Sequence, residues 1–127
     1  MNNVPALVID GVEILNTTPH PITFQNAVGE VVTIPSNPDF IVNAKPIEVT
    51  AGDKKGAALV KTTFVADETN ETKVAELETK FPNAVLVGSI IAAQAFPGRI
   101  FAMTPAAGFE RVAPAEKRMN PTKFTTF

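Results

Sequence analysis

The chain's three arginines, Arg99, Arg111 and Arg118, all fall in its last quarter. Lys117 adjoins the third. Residues 1–98 carry six Lys against eleven Asp and Glu, whereas residues 99–127 carry five Lys and Arg against two Glu. An acidic chain has thus gathered its guanidinium groups, the side chains suited to two-pronged binding of phosphate or carboxylate. Phe96, Phe101 and Phe109 interleave with them. A Phe beside an Arg can stack a base while the Arg holds its phosphate, but such a Phe can equally be core. The bland alternative for Arg111, Lys117 and Arg118 is ordinary surface pairing with Glu110 and Glu116, or docking on an acidic neighbour.

Two further segments have the residue types for ligand contact. Val87-Gly88-Ser89-Ile90 reads as a strand–turn–helix junction. Ser89 is a natural N-cap, and the free N–H groups of a helix start attract anions. It is neither a phosphate-binding loop of the Walker type nor a nucleophile elbow, because the residues each needs are missing. Asn16-Thr17-Thr18-Pro19-His20-Pro21 contains the chain's single His. The plain reading is a rigid turn in which Asn16 and Thr18 bond their own backbone. The functional reading makes His20 an acid, base or ligand contact, with Asp10 and Glu13 as possible partners.

The composition narrows the classes. With no Cys, disulfides, thiolate metal sites and a Cys nucleophile are excluded. One His cannot build a His-rich zinc site, so no cofactor or metal is expected. A pI near 5.4 argues against bulk nucleic-acid binding. Met1-Asn2-Asn3-Val4-Pro5 has no basic region leading into a long apolar stretch, which predicts no secretory leader. The longest apolar run, Ala84 to Ala93, is too short to span a bilayer, so no membrane partner is expected.

Positioning these residues requires a set of short elements, as eleven prolines imply. The pattern predicts strands at 12–16, 22–25, 31–34, 40–42, 47–50 and 59–65. A hairpin connection at 26–30 uses Gly29, and a mobile turn covers 51–56. A helix follows, capped by Thr69 or Asn70, with Val74, Leu77 and Phe81 on one face, Glu76 paired to Lys80, and Pro82 as its stop. Residues 84–87 read as a buried strand, 90–96 as a helix and 100–104 as a strand. Residues 105–127 read as an extended Pro-rich tail wrapping the domain or a neighbour. Phe124-Thr125-Thr126-Phe127 could add to a sheet edge in this subunit or the next. The prediction is one α+β domain: mainly β over 1–66, helix–strand–helix–strand over 67–104, tail over 105–127.

Leu15-Asn16-Thr17-Thr18-Pro19-His20-Pro21-Ile22 resembles the Leu-Asn-Leu-Thr-Pro-His-x-Ile opening of a family of small proteins encoded by tailed phages and prophages. The departure is Thr17, where an apolar residue is usual, which predicts a wetter face there. Val87 to Ala95 with Pro97-Gly98-Arg99, and Gly108 to Val112 with Lys117-Arg118-Met119, extend the resemblance to about a third of the chain. It implies a phage or prophage setting.

Two functions follow as expectations. The first is a non-enzymatic phage protein, in the host cytoplasm, that sequesters a phosphorylated small molecule or nucleotide signal as a counter-defence. Asn16, Thr18 and His20 would form one wall of the site, Ser89, Arg99, Arg111, Lys117 and Arg118 would hold phosphate, and Phe109 would cover the base. The second is a virion component, a capsid-decorating or joining protein, whose tail docks on neighbouring subunits. Both expect a homo-oligomer or close neighbours. An enzyme ranks third, since no nucleophile or carboxylate pair stands out.

Overall fold

A computed structural model describes residues 6–127; Met1–Pro5 and the leader expectation attached to them lie outside the described residues. The fold is α+β. The strands are β1 (Ala6–Ile9), β2 (Val12–Asn16), β3 (Ile22–Gln25), β4 (Val31–Ile34), β5 (Lys45–Lys54), β6 (Ala57–Val65), β7 (Val85–Gly88), β8 (Phe101–Pro105) and β9 (Met119–Thr125). The helices are α1 (Glu68–Lys80) and α2 (Ile90–Ala95).

Seven strands form one sheet in the order β1-β2-β7-β8-β9-β3-β4, and β5 and β6 form a separate ribbon. Within the sheet, β2, β7 and β8 run parallel, with α2 as the crossover between the last two. Pleat alternation sorts neighbouring residues to opposite faces. Ile14, Val87 and Met103 enter one apolar cluster with Ile22, Phe24 and Ile34. Leu15, Leu86 and Ala102 enter the other, under Val74 and Leu77 of α1 and Ala92 and Ala93 of α2. Phe40 meets Phe81 edge-on at 5.7 Å beside this second core.

The sheet curls until its ends meet. Asn16 Nδ2 donates to the carbonyls of Ile34 and Pro35 at the end of β4, and Asn26 Nδ2 donates to Asp10 Oδ1 in the β1–β2 turn. That turn, Asp10-Gly11, has φ of +50° and +80°, the two-residue hairpin geometry that matches strand twist.

Several sequence expectations are corrected. The end of the tail is sheet, not a free extension: β9 lies between β8 and β3, because Met119 pairs with both Phe24 and Pro105. Phe124 and Thr125 therefore join their own subunit's sheet, against Met103 and Ala102. Pro121, buried, is tolerated because the β8–β9 register breaks at that point. Residues 40–42 are not a strand. Pro38–Phe40 forms a single tight turn, capped by Asn37. Helix α1 is capped by Asp67, whose carboxylate accepts the Asn70 N–H at 2.8 Å, rather than by Thr69 or Asn70. The expected loose turn at 51–56 is strand up to Lys54, and the reversal itself is only Lys55-Gly56, both at positive φ.

The ribbon is the outlying part of the molecule. Its strands pair from Lys45↔Val65 to Lys54↔Ala57, with a bulge between Thr50 and Asp53 that Gly52 (φ +95°) permits. Every residue from Lys45 through Thr63 is exposed. Its one substantial tertiary neighbour is α2.

Candidate functional site

The predicted site residues occupy three separate places. The first is the β2–β3 connection. Asn16 is 2% exposed and is used up in holding the turn. Its amide nitrogen donates to the carbonyls of His20, Ile34 and Pro35, and its Oδ1 accepts from Thr18 N and Thr18 Oγ1 at 2.8 and 2.7 Å. Thr18 Oγ1 also lies 2.8 Å from the His20 carbonyl oxygen. Thr17 is fully buried, not wetter, because its backbone N–H and its hydroxyl both donate to the Val87 carbonyl at 2.9 and 2.8 Å. The hydroxyl thus adds a second bond to the carbonyl that the Thr17 backbone N–H already holds at the seam between β2 and β7. The His20 side chain is exposed. Neither Asn16 nor Thr18 has a polar atom left aimed outward, so the plain turn reading describes this segment.

Ser89 lies beside that turn through the Thr17–Val87 bonds. It caps α2, its Oγ accepting the Ala92 N–H at 3.1 Å. Gly88 must be Gly here: a Cβ would fall 2.5 Å from Ile100 Cγ2 and 3.2 Å from Thr17 Oγ1. The short turn that delivers Ser89 is thus a packing requirement.

Arg99 is the second place. It lies beyond the C-terminal end of α2, away from Ser89, and its guanidinium is fully engaged. Nη1 meets Glu71 at 2.6 Å, Nη2 meets Glu78 at 2.8 Å, and Nε bonds both Glu78 oxygens at 3.2 Å. Its Cζ sits 6.0 Å from the Phe96 ring centroid. The Glu78 bonds hold its pKa above the usual arginine value, with Glu71 adding to this and desolvation opposing it. Arg99 therefore clamps α1 to the chain leaving α2 and does not join the other two arginines. These are the only ion pairs among the described residues.

The third place is the loop from Ala106 to Arg118, closed at its base by the Ala106 N–H donating to the Arg118 carbonyl at 2.8 Å. It brings Phe109, Arg111, Lys117 and Arg118 into one segment. The Arg118 guanidinium lies over the Phe109 ring, 5.9 Å from its centroid, an arrangement worth about 0.5–1 kcal/mol at an exposed site. Arg111 and Lys117 are exposed. A cleft of about 440 Å³ opens at the foot of this loop, between Ala106-Ala107, Asn26–Gly29 and Asn120–Thr122. Its charged lining residue is Asp10, so it is no phosphate site.

What the sequence reading missed is the ribbon. Its β-branched pattern signalled strands, but nothing local says that two strands will pair only with each other. Ile47, Val49, Leu59 and Val60 stand on it between 41% and 58% exposed.

Comparison with protein-family models, curated proteins and solved structures finds no match. Among the described residues no helix is long and apolar enough to cross a membrane.

Proposed function

We propose that this protein is a non-enzymatic structural subunit that joins copies of itself into a larger assembly. The setting is the tailed-phage particle implied by the resemblance around Asn16–Ile22. The observation that carries this reading is the exposed ribbon β5–β6. A two-stranded hairpin alone is at best marginally stable in water, and scattered large apolar side chains along it gain most from a covering partner. At about 3.3 Å per residue, ten residues reach on the order of 30 Å from the body.

Native mass spectrometry and light scattering on untagged protein test this. Wild type is expected to form oligomers, and Ile47→Glu with Val49→Glu is expected to be monomeric and still folded by circular dichroism. A wild-type monomer at every accessible concentration contradicts the proposal.

A second reading keeps a phosphorylated ligand, now at the 106–118 loop alone. It is favoured by the guanidinium of Arg118 already lying over Phe109, with Arg111 and Lys117 exposed nearby in sequence. Loss of nucleotide binding in Arg111→Ala with assembly intact would select it.

A further inference from the structure

The two faces of the ribbon differ in charge as well as in hydropathy. Register and pleat place Lys45, Ile47, Val49 and Lys54 on the same face as Ala57, Leu59, Lys61, Thr63 and Val65. The opposite face holds Pro46, Glu48, Thr50 and Asp53 with Ala58, Val60, Thr62 and Phe64. The bulge at 51–52 matters here, because it shifts the register by one residue and returns Lys54 to the lysine face. One face therefore carries three Lys and no acid around Ile47, Val49 and Leu59. The other carries both of the ribbon's acids and no Lys. Lys45 and Lys54 stand at the two ends of the first face and Lys61 in its middle, opposite Val49, so the lysines are interleaved with the apolar residues.

The complementary surface is on the same chain. Residues 67–80, which include α1, hold five acids against Lys73 and Lys80, the most acidic stretch of the molecule. The inner side of α1 is buried through Val74 and Leu77. Its outer side is a shallow groove of about 630 Å³ lined by Glu71, Thr72, Ala75, Glu76, Thr79 and, at the C-terminal end of the helix, Lys80. Within one chain the ribbon's substantial contact is with α2, which leaves this groove open. A ribbon face roughly 30 Å by 10 Å covers about 300 Å² on each partner. A reciprocal pair of such contacts comes to about 1,200 Å² in total, the lower bound for a specific interface.

We infer that the lysine face of the β5–β6 ribbon docks on the outer face of α1 in a second copy of this chain. This rests on the assembly reading above and names its contact. The apolar residues of that face lie over Thr72 and Ala75. Lys54 and Lys61 face Glu76, because Glu71 is already paired with Arg99, and the contact stays clear of Lys80 at the C-terminal end of α1. The joined surfaces are different, so two copies close as a two-fold pair in which the contact occurs twice, or successive copies join head to tail in a ring or a filament.

A two-variant complementation tests this. One variant carries Lys54→Glu and Lys61→Glu; the other carries Thr72→Lys and Glu76→Lys. All four residues are exposed, and none pairs with Arg99. In each variant alone the two surfaces repel, and self-association is expected to weaken at least about tenfold. Mixed, each ribbon finds an opposite charge on the other variant, and assembly should return as strictly alternating hetero-oligomers, resolved by mass in native spectrometry. Circular dichroism melting checks that both variants stay folded. If wild type assembles and either variant alone assembles as well, the contact lies elsewhere: this inference falls and the assembly reading stands. If both folded variants fail alone and also when mixed, the inference falls again. A wild type that never self-associates, or that stays monomeric while binding duplex DNA through the lysine face, overturns both.

Discussion

The curled seven-stranded sheet and the β5–β6 ribbon are made of the same kinds of residue and hold them in opposite ways. In the sheet, Ile14, Leu15 and Val87 are fully buried, and no buried side-chain polar atom among the described residues lacks a partner. In the ribbon, Ile47 and Val49 are 41% and 58% exposed, and the backbone hydrogen bonds run only between two strands. The sheet and its two helices bury their apolar faces against one another; the ribbon is held mainly by its attachment. A region that folds without satisfying its own apolar surface is the part of a molecule that meets a partner.

Matched truncations break this comparison most sharply. Ile14→Ala removes a buried side chain between strands that cannot collapse onto the space, and should cost about 4 kcal/mol in chemical denaturation. Val49→Ala on the ribbon should change stability of the isolated subunit by less than about 0.5 kcal/mol. Comparable losses at the two sites would show that the ribbon shares the body's core. Asn16→Ala comes next, at about 3 kcal/mol, because the carbonyls of Ile34 and Pro35 and the Thr18 N–H lose their partner. The same substitution should leave oligomer mass unchanged at temperatures where the variant is folded. Arg99→Ala should cost about 1 kcal/mol, since its carboxylate partners are half-exposed and the loss includes packing on Phe96.

The smallest effect is one of pH. The Asn70 N–H donates to the Asp67 carboxylate, the Asn70 side chain adds a second bond, and its pKa lies below the ordinary aspartate value. A lowered folded-state pKa means stability that is complete above the unfolded pKa, about 3.9, and is lost as pH falls through the folded value. Acid titration of wild type should show this loss below about pH 4, beyond that of Asp67→Asn, which keeps the cap without the charge. Equal profiles would show that the carboxylate charge contributes nothing.

The legibility of the sequence also divides along this line. The period of Val74, Leu77 and Phe81 and the short apolar run at 85–87 announce an α+β body, because burial imposes those patterns directly. Residues 119–125 read as tail because Pro121 and Asn120 are poor strand residues. They enter the sheet only through a register break that no local rule foresees. The arginines are near one another in sequence, yet Arg99 is drawn away by Glu71 and Glu78, far upstream, and spacing along the chain does not encode that choice. The lysine face was equally hidden. It exists only once β5 and β6 are paired in this register, with the extra residue at the Gly52 bulge.

Amide hydrogen exchange, read by mass spectrometry across a dilution series, tests the central claim most directly. At low concentration the amides of 45–65 should exchange far faster than those of β2 and β7. As concentration rises they should gain protection together with α1, while β2 and β7 stay constant. Ribbon amides as protected as β2 at the lowest concentration, with no dependence on concentration, would contradict the account: the ribbon would then be stable without a second subunit.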